Sequence, residues 1–245
     1  MSGHSKWHSI KHKKGAADAK RGKIFTKMAA EIAIAAQGGA DPAMNFKLRL
    51  AIQKAEAANV PANNIERAIA KGSGQGGEAK LEELLYEGYG PAGVAIMVKA
   101  LSDNRNRTGP EVKSTFSKHG GSLGGQGSVS YLFEQKGVII CKENLDKDEL
   151  SLKAIEAGAD DIDDSGEQLI VYTQPNSLEP VRDALGEEAV DSAEIKQEPS
   201  QTVVVDDPGK AKTLLNLMEA LDDLDDVVDV TSNFDIPEEV LSTLQ

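Results

Sequence analysis

The sequence predicts an α+β protein of three domains: an N-terminal helical bundle, then two α+β domains, the third inserted in the second. Three observations predict it. Apolar residues over 17–72 recur at three- and four-residue spacing, the period of helices. Strand and helix patterns over 135–199 alternate as β-α-β-β-α-β, the ferredoxin-like order. Segment 80–134 has too few strands for a sheet by itself, and the strands of 200–245 are expected to complete it. A chain of 245 residues is long enough for these cores.

Taken in order, residues 1–16 read as a flexible basic arm, small, polar and charged, with almost nothing to bury. A first helix then carries Phe25, Met28, Ala29, Ile32 and Ala36 as one apolar stripe, with Lys20, Lys23 and Lys27 on another face, and ends at Gly38-Gly39. Asp41-Pro42 offers an N-cap and a first-turn proline for a second helix with the stripe Met44, Leu48, Ala51, Ile52 and Ala55. Asn63 and Glu66 make a capping box for a third helix, which closes near Gly72 at a glycine-rich linker, 72–77. Paired strands are expected over 83–89 and 94–101, a helix from the Thr108/Glu111 capping box around Pro110 to Gly120-Gly121, and a strand over 128–134. The inserted unit follows as strand 138–141, helix 146–157, strands 160–164 and 168–173, helix 177–185 and strand 190–197. Beyond Pro199 come a strand over 201–205, a helix over 209–221 and a strand over 227–234.

Charge is segregated along this order. The net charge is −13, yet residues 1–27 hold eight basic side chains against Asp18 alone. Residues 1–72 carry thirteen basic and five acidic groups, 73–139 seven of each, and 140–245 seven basic against twenty-eight acidic. An acidic protein is repelled by nucleic acid, so a segregated basic end marks one dedicated contact surface. Trp7, the sole tryptophan, can stack on an unpaired base there; the alternative for the arm is a solvated tail. The single cysteine, Cys141, excludes an internal disulfide and multi-cysteine zinc sites. No stretch has transmembrane length, and Glu31 interrupts the apolar run 28–36, so neither a signal peptide nor a membrane partner is expected. The expected location is a reducing cytoplasm.

Enzyme-like patterns fail on their context. Gly72, Gly74 and Gly77 satisfy G-x-G-x-x-G but follow a helix rather than a strand. Gly120, Ser122 and Gly124 satisfy G-x-S-x-G but run from helix toward strand, with no histidine downstream. His4, His8 and His12 share a spacing of four, yet the surrounding lysines oppose a metal. Asp222, Asp223, Asp225 and Asp226 lack the spacing of a calcium loop and read as a solvated helix end or an electrostatic gate. No nucleophile–base set can be assembled. The chain is expected to be no enzyme, with no catalytic residue, metal, cofactor or small-molecule substrate.

Three groups of residues also resemble a known family: Gly3-His-Ser-Lys-Trp7, Lys11-His-Lys-Lys-Gly15 and Asp18-Ala-Lys-Arg-Gly-Lys-Ile-Phe25 at the start, Leu101-Ser-Asp-Asn-Arg-Asn-Arg-Thr108 in the middle, and Gly120-Gly-Ser-Leu-Gly124 with Gly127-Ser-Val129 beyond it. They are similar to the YebC/PmpR family, which includes the mitochondrial translational activator of cytochrome oxidase. The resemblance covers nearly the whole chain. It implies a helical N-terminal domain, two α+β domains with one inserted in the other, and a nucleic-acid-associated regulator of gene expression. Many members are described as probable transcriptional regulators that bind promoter DNA; others look like ribosome-associated factors that assist translation through proline runs.

The candidate nucleic-acid contacts are His4, Lys6, Trp7, His8, Lys11, His12, Lys13, Lys14, Lys20, Arg21, Lys23 and Lys27. Arg105 and Arg107 form a second patch, expected beside helix N-terminal amides where a phosphate binds well, with Lys113 and Lys118 extending it. The arginines' alternative is pairing with surface acids. The glycine-rich segment 120–128 is either a place of close backbone approach or a tight connection. The leading expectation is a DNA-binding transcriptional regulator. The alternatives are a ribosome- or RNA-associated translation factor and an acidic module that meets basic proteins.

Overall fold

The computed structural model describes residues 18–74 and 80–244, with side chains from residue 22 onward. The basic arm, 1–16, and linker residues 75–77 lie outside the described residues. The described chain is a mixed α+β fold with antiparallel sheets. It divides into two compact units, one of residues 133–200 and one formed by the residues before and after them.

The larger unit opens with three helices, α1 (Asp18–Ala36), α2 (Phe46–Ala57) and α3 (Ala62–Gly72). Their stripes meet in a core of Ile32, Ala36, Leu48, Ala55, Ile65 and Ala68, with Phe25, Met28 and Ala29 half-buried against it. Gly72 does more than end α3. A Cβ there would lie 2.1 Å from the Ala33 carbonyl oxygen and 2.8 Å from the Ala36 Cβ, so its missing side chain sets how closely α3 crosses α1.

Two helix starts differ from expectation. Asp41 caps only a turn, its carboxylate accepting the Ala43 N–H at 2.9 Å. Asn45 is the cap of α2, accepting the Leu48 N–H at 3.1 Å while its amide donates to the carbonyls of Ala35 and Gly39 at 2.8 Å. Those two bonds tie the turn to the end of α1, and Met44 falls outside α2 and is 86% exposed. Pro61 precedes α3 and Asn63 lies within it, so no side chain caps that helix.

The sheet of this unit has four strands, with the first two in chain order at its centre. β1 (Glu82–Tyr89) and β2 (Ala95–Ser102) pair antiparallel from Glu82↔Ser102 to Tyr89↔Ala95. After α4 (Arg105–Lys118), β3 (Ser122–Leu123) returns beside β1. β9 (Val227–Ser232) pairs with β2 from the far end of the chain. β8 (Val203–Val204) and β10 (Phe234–Asp235) make a separate parallel pair, and α7 (Pro208–Asp222) and α8 (Glu238–Ser242) complete the unit. Val112 and Phe116 of α4 and Leu214, Leu217, Met218 and Leu221 of α7 are buried against Leu84, Ile96, Val98, Ala100 and Val230 of the sheet. At roughly 1.5–3 kcal/mol for each large side chain removed from water, this layer contributes a large share of the unit's stability.

The strand expected over 128–134 does not form. Ser130–Leu132 is a 3-10 turn, and Phe133 begins β4 (Phe133–Cys141) in the smaller unit. The reason is local: a carboxylate already holds the amides of Val129 and Ser130, so neither can join a ladder.

The smaller unit continues with α5 (Lys147–Glu156), β5 (Asp161–Asp163), β6 (Ile170–Thr173), α6 (Leu178–Leu185) and β7 (Val190–Pro199). Its sheet is antiparallel in the order β5-β6-β4-β7, which places the first strand between the third and the fourth. Ile139, Cys141, Val171, Leu178 and Val181 are fully buried, and burial pushes the Cys141 thiol above its ordinary range. This unit holds eighteen acidic and six basic side chains, so it accounts for −12 of the chain's net −13.

Candidate nucleic-acid interface

The basic face of α1 meets the end of α7. Lys23 Nζ donates to the Asp223 carbonyl at 2.9 Å and stands 3.4 Å from the Asp225 carboxylate. One turn on, Lys27 Nζ donates to the Asp222 carbonyl and lies 3.8 Å from its carboxylate. The Lys27 side chain is only 13% exposed, whereas Lys23 keeps 48%. Lys20 and Arg21 lie on α1 ahead of these two. His4, Lys6, Trp7, His8, Lys11, His12, Lys13 and Lys14 are outside the described residues.

The second patch is built at the junction of β2 and α4. The helix starts at Arg105, three residues before the expected box, because Asn104 caps it: Oδ1 accepts the N–H of Asn106 at 3.1 Å and of Arg107 at 3.2 Å. The amides that a phosphate was expected to use are therefore taken by Asn104. Thr108, read as the cap, is buried one turn inside the helix. Its hydroxyl donates to Asp226 at 2.6 Å; Ser102 donates to the same carboxylate at 2.9 Å, and Arg107 at 2.9 and 3.0 Å. Burial alone would raise the Asp226 carboxyl, but the bonds from Thr108, Arg107 and Ser102 outweigh it and hold the group below its ordinary value. The same pair raises Arg107.

The two arginines diverge. Arg105 is 71% exposed and stands 3.5 Å from Glu82 on β1, while Arg107 turns to Asp226. Lys113 and Lys118 are exposed on α4. The acidic residues Asp222–Asp226 thus join the two basic patches, which sequence spacing had left unrelated: α1 reaches them through Lys23 and Lys27, and α4 through Arg107.

One further residue was not singled out by the sequence. Glu87, 4% exposed, points its carboxylate into the glycine-rich segment and accepts the N–H groups of Gly127 and Val129 at 2.8 Å and of Ser130 at 2.9 Å. Burial works to raise this carboxyl; the three backbone bonds prevail and lower it. Tyr89 adds a bond to the Ser128 carbonyl at 2.8 Å, and Gly127 supplies a φ of +83°. Within the described residues the segment is a tightly held connection. Its signal in the sequence was a single acidic residue within the run 84–89, together with a later loop rich in amides that need acceptors.

Among the described residues, no group of three or more His, Cys, Asp or Glu is placed to hold a metal ion. Among them, too, no helix is long and apolar enough to cross a membrane.

Comparison with known proteins accounts for almost the whole chain. A family model described as the TACO1/YebC protein N-terminal domain matches residues 5–75, and one described as the TACO1/YebC second and third domain matches residues 81–234. A probable transcriptional regulatory protein of Desulfitobacterium hafniense is 51% identical, covering 98% of each chain. Another, of Geobacter sulfurreducens, is 51% identical over 100% of both. A conserved hypothetical protein of Aquifex aeolicus has a similar crystal structure, with a TM-score of 0.85 and 48% identity over 95% of this chain and 97% of that one. On these matches, which run through both units of the fold, the chain belongs to the TACO1/YebC family.

Proposed function

We propose that this protein is a non-catalytic, DNA-binding transcriptional regulator whose N-terminal basic segment grips the phosphate backbone. The observation that carries the reading is charge segregation: eight basic side chains against one acidic within residues 1–27, and a net −12 confined to residues 133–200. Relatives named probable transcriptional regulatory proteins support the same reading. In it, Lys6, Lys11, Lys13, Lys14, Lys20, Arg21 and Lys23 contact phosphates, Trp7 stacks, and His4, His8 and His12 add donors. Arg105, Lys113 and Lys118 form a second contact, while Lys27 and Arg107 hold the Asp222–Asp226 turn beside it. The helices 17–72, the sheet built from 80–134 with 200–245, and the unit 135–199 act as three parts. Residues 135–199 carry seventeen acidic and six basic side chains, and laying that net −11 on DNA costs repulsion. The protein works in the cytoplasm without a cofactor.

The test is fluorescence anisotropy on a promoter duplex and a random duplex across a salt series, for the full chain and for one lacking residues 1–17. Engagement of the seven phosphate-contacting cations of residues 1–27 gives a log–log salt slope of about −6. Removing residues 1–17 should flatten that slope and weaken binding at least about tenfold. Equal affinity and slope for the two chains would overturn the reading. So would salt-sensitive co-sedimentation with ribosomes combined with no preference for any promoter.

A further inference from the structure

Four carboxylates crowd the end of α7, at Asp222, Asp223, Asp225 and Asp226. The helix leaves its last carbonyls without intrahelical partners there, so its macrodipole is negative at the same point. Carbonyl and carboxylate oxygens together form a dense anionic surface that requires cations. Lys23 and Lys27 take the carbonyls of Asp223 and Asp222, and Arg107 takes the Asp226 carboxylate at two positions. To a lysine or an arginine this surface resembles a run of phosphate oxygens.

The contacts are not equally fixed. Asp226 is held by Arg107, Thr108 and Ser102 at once, and its side chain is 15% exposed. The Lys27–Asp222 pair is similarly covered, at 13% and 20%. The Lys23–Asp225 pair is open to water, at 48% and 79%. Exposed pairs of this kind are weak and screened by salt, so Lys23 can exchange partners while the covered pairs keep the turn in place.

We propose that the Asp222–Asp226 turn is a built-in competitor of nucleic-acid phosphate: it occupies Lys23 in the free protein and surrenders it to the backbone in the complex. The inference rests on the reading that the basic face of α1 binds nucleic acid. It assigns the aspartates a role in setting affinity and in rejecting weakly held polyanions.

The test is the affinity of the full chain for a random-sequence DNA duplex at low and high salt. Asp223→Asn combined with Asp225→Asn, both at exposed positions, should tighten binding about two- to fivefold at low salt, with the gain fading at high salt. Lys23→Ala in that background should cancel the gain. Asp160→Asn with Asp161→Asn changes net charge equally in the other unit and should leave affinity unchanged. Unchanged or weaker binding by the Asp223/Asp225 variant would overturn the competitor, as would an equal gain from the Asp160/Asp161 variant. Absence of binding by the unaltered chain would instead remove the parent reading, and the competitor with it.

Discussion

Replacing Glu87 by glutamine removes one charge and almost no volume, which isolates the bonds that the carboxylate makes. In the folded chain, one carboxylate oxygen accepts from Gly127 and the other from both Val129 and Ser130. Glutamine can keep its carbonyl toward Val129 and Ser130, but its amide nitrogen then faces the Gly127 N–H, donor against donor. The two bonds that remain become neutral. Hydrogen bonds to charged groups contribute about 1.5–3 kcal/mol and neutral ones about 0.5–1.5, so Glu87→Gln should cost about 2–4 kcal/mol. For a unit of this size that corresponds to a fall in melting temperature of about 5–15 °C by calorimetry. The effect also has a sign in pH. The folded carboxyl lies below its ordinary value of 4.5, so its contribution is fully present above that pH and is lost as pH falls through the folded value. The gap between wild type and variant should therefore narrow on acidification. Hydrogen exchange reads the bonds directly: the amides of residues 127, 129 and 130 should exchange faster in the variant at neutral pH. A melting shift below about 1 °C, with unchanged exchange at those amides, would show that the clamp does not hold the segment.

Two further outcomes follow from close contacts in the larger unit. Gly72→Ala places a Cβ 2.1 Å from the Ala33 carbonyl oxygen; α3 must move off α1, at a cost of about 1–3 kcal/mol or more, and an unchanged melting temperature would refute the close crossing. Thr108→Val keeps the shape but removes a donor from Asp226, costing about 1–2 kcal/mol. Because that bond helps hold Asp226 below its ordinary value, its carboxyl should titrate at higher pH in the variant, read by NMR. Stability from Asp226 is present above its unfolded value and lost as pH falls through the folded one, so the variant should show the shallower acid limb.

Local elements were legible where the signal is a spacing. The stripe Phe25, Met28, Ala29, Ile32 and Ala36 lines the helical core because residues three and four apart share one face of a helix. The β-α-β-β-α-β order beyond residue 132 was legible for the same reason, since a change of period marks each boundary. The capping sites were less legible. Asp41, Asn63 and Thr108 all have cap-forming surroundings, and each lost to a neighbour or to the interior. Asn45 won through bonds to the end of α1, and Asn104 through a position two residues after β2, neither of which a four-residue motif contains. Similarly, Gly72 read as a terminator because the helix it touches, α1, lies some forty residues earlier in the chain.

By itself the sequence determined the segregation of charge, the stripes that become helices and the residue order that matches one family. These depend on composition and on near neighbours, which a linear chain displays. Only the tertiary structure decided which cations already have partners. Lys23 and Asp223 are 200 positions apart, Lys27 and Asp222 are 195, and Arg107 and Asp226 are 119. An ion pair depends on distance in space and carries no period along the chain, so no local pattern announces it. On the basic face read from the first helix, Lys23 and Lys27 are, once folded, held by the protein's own acids.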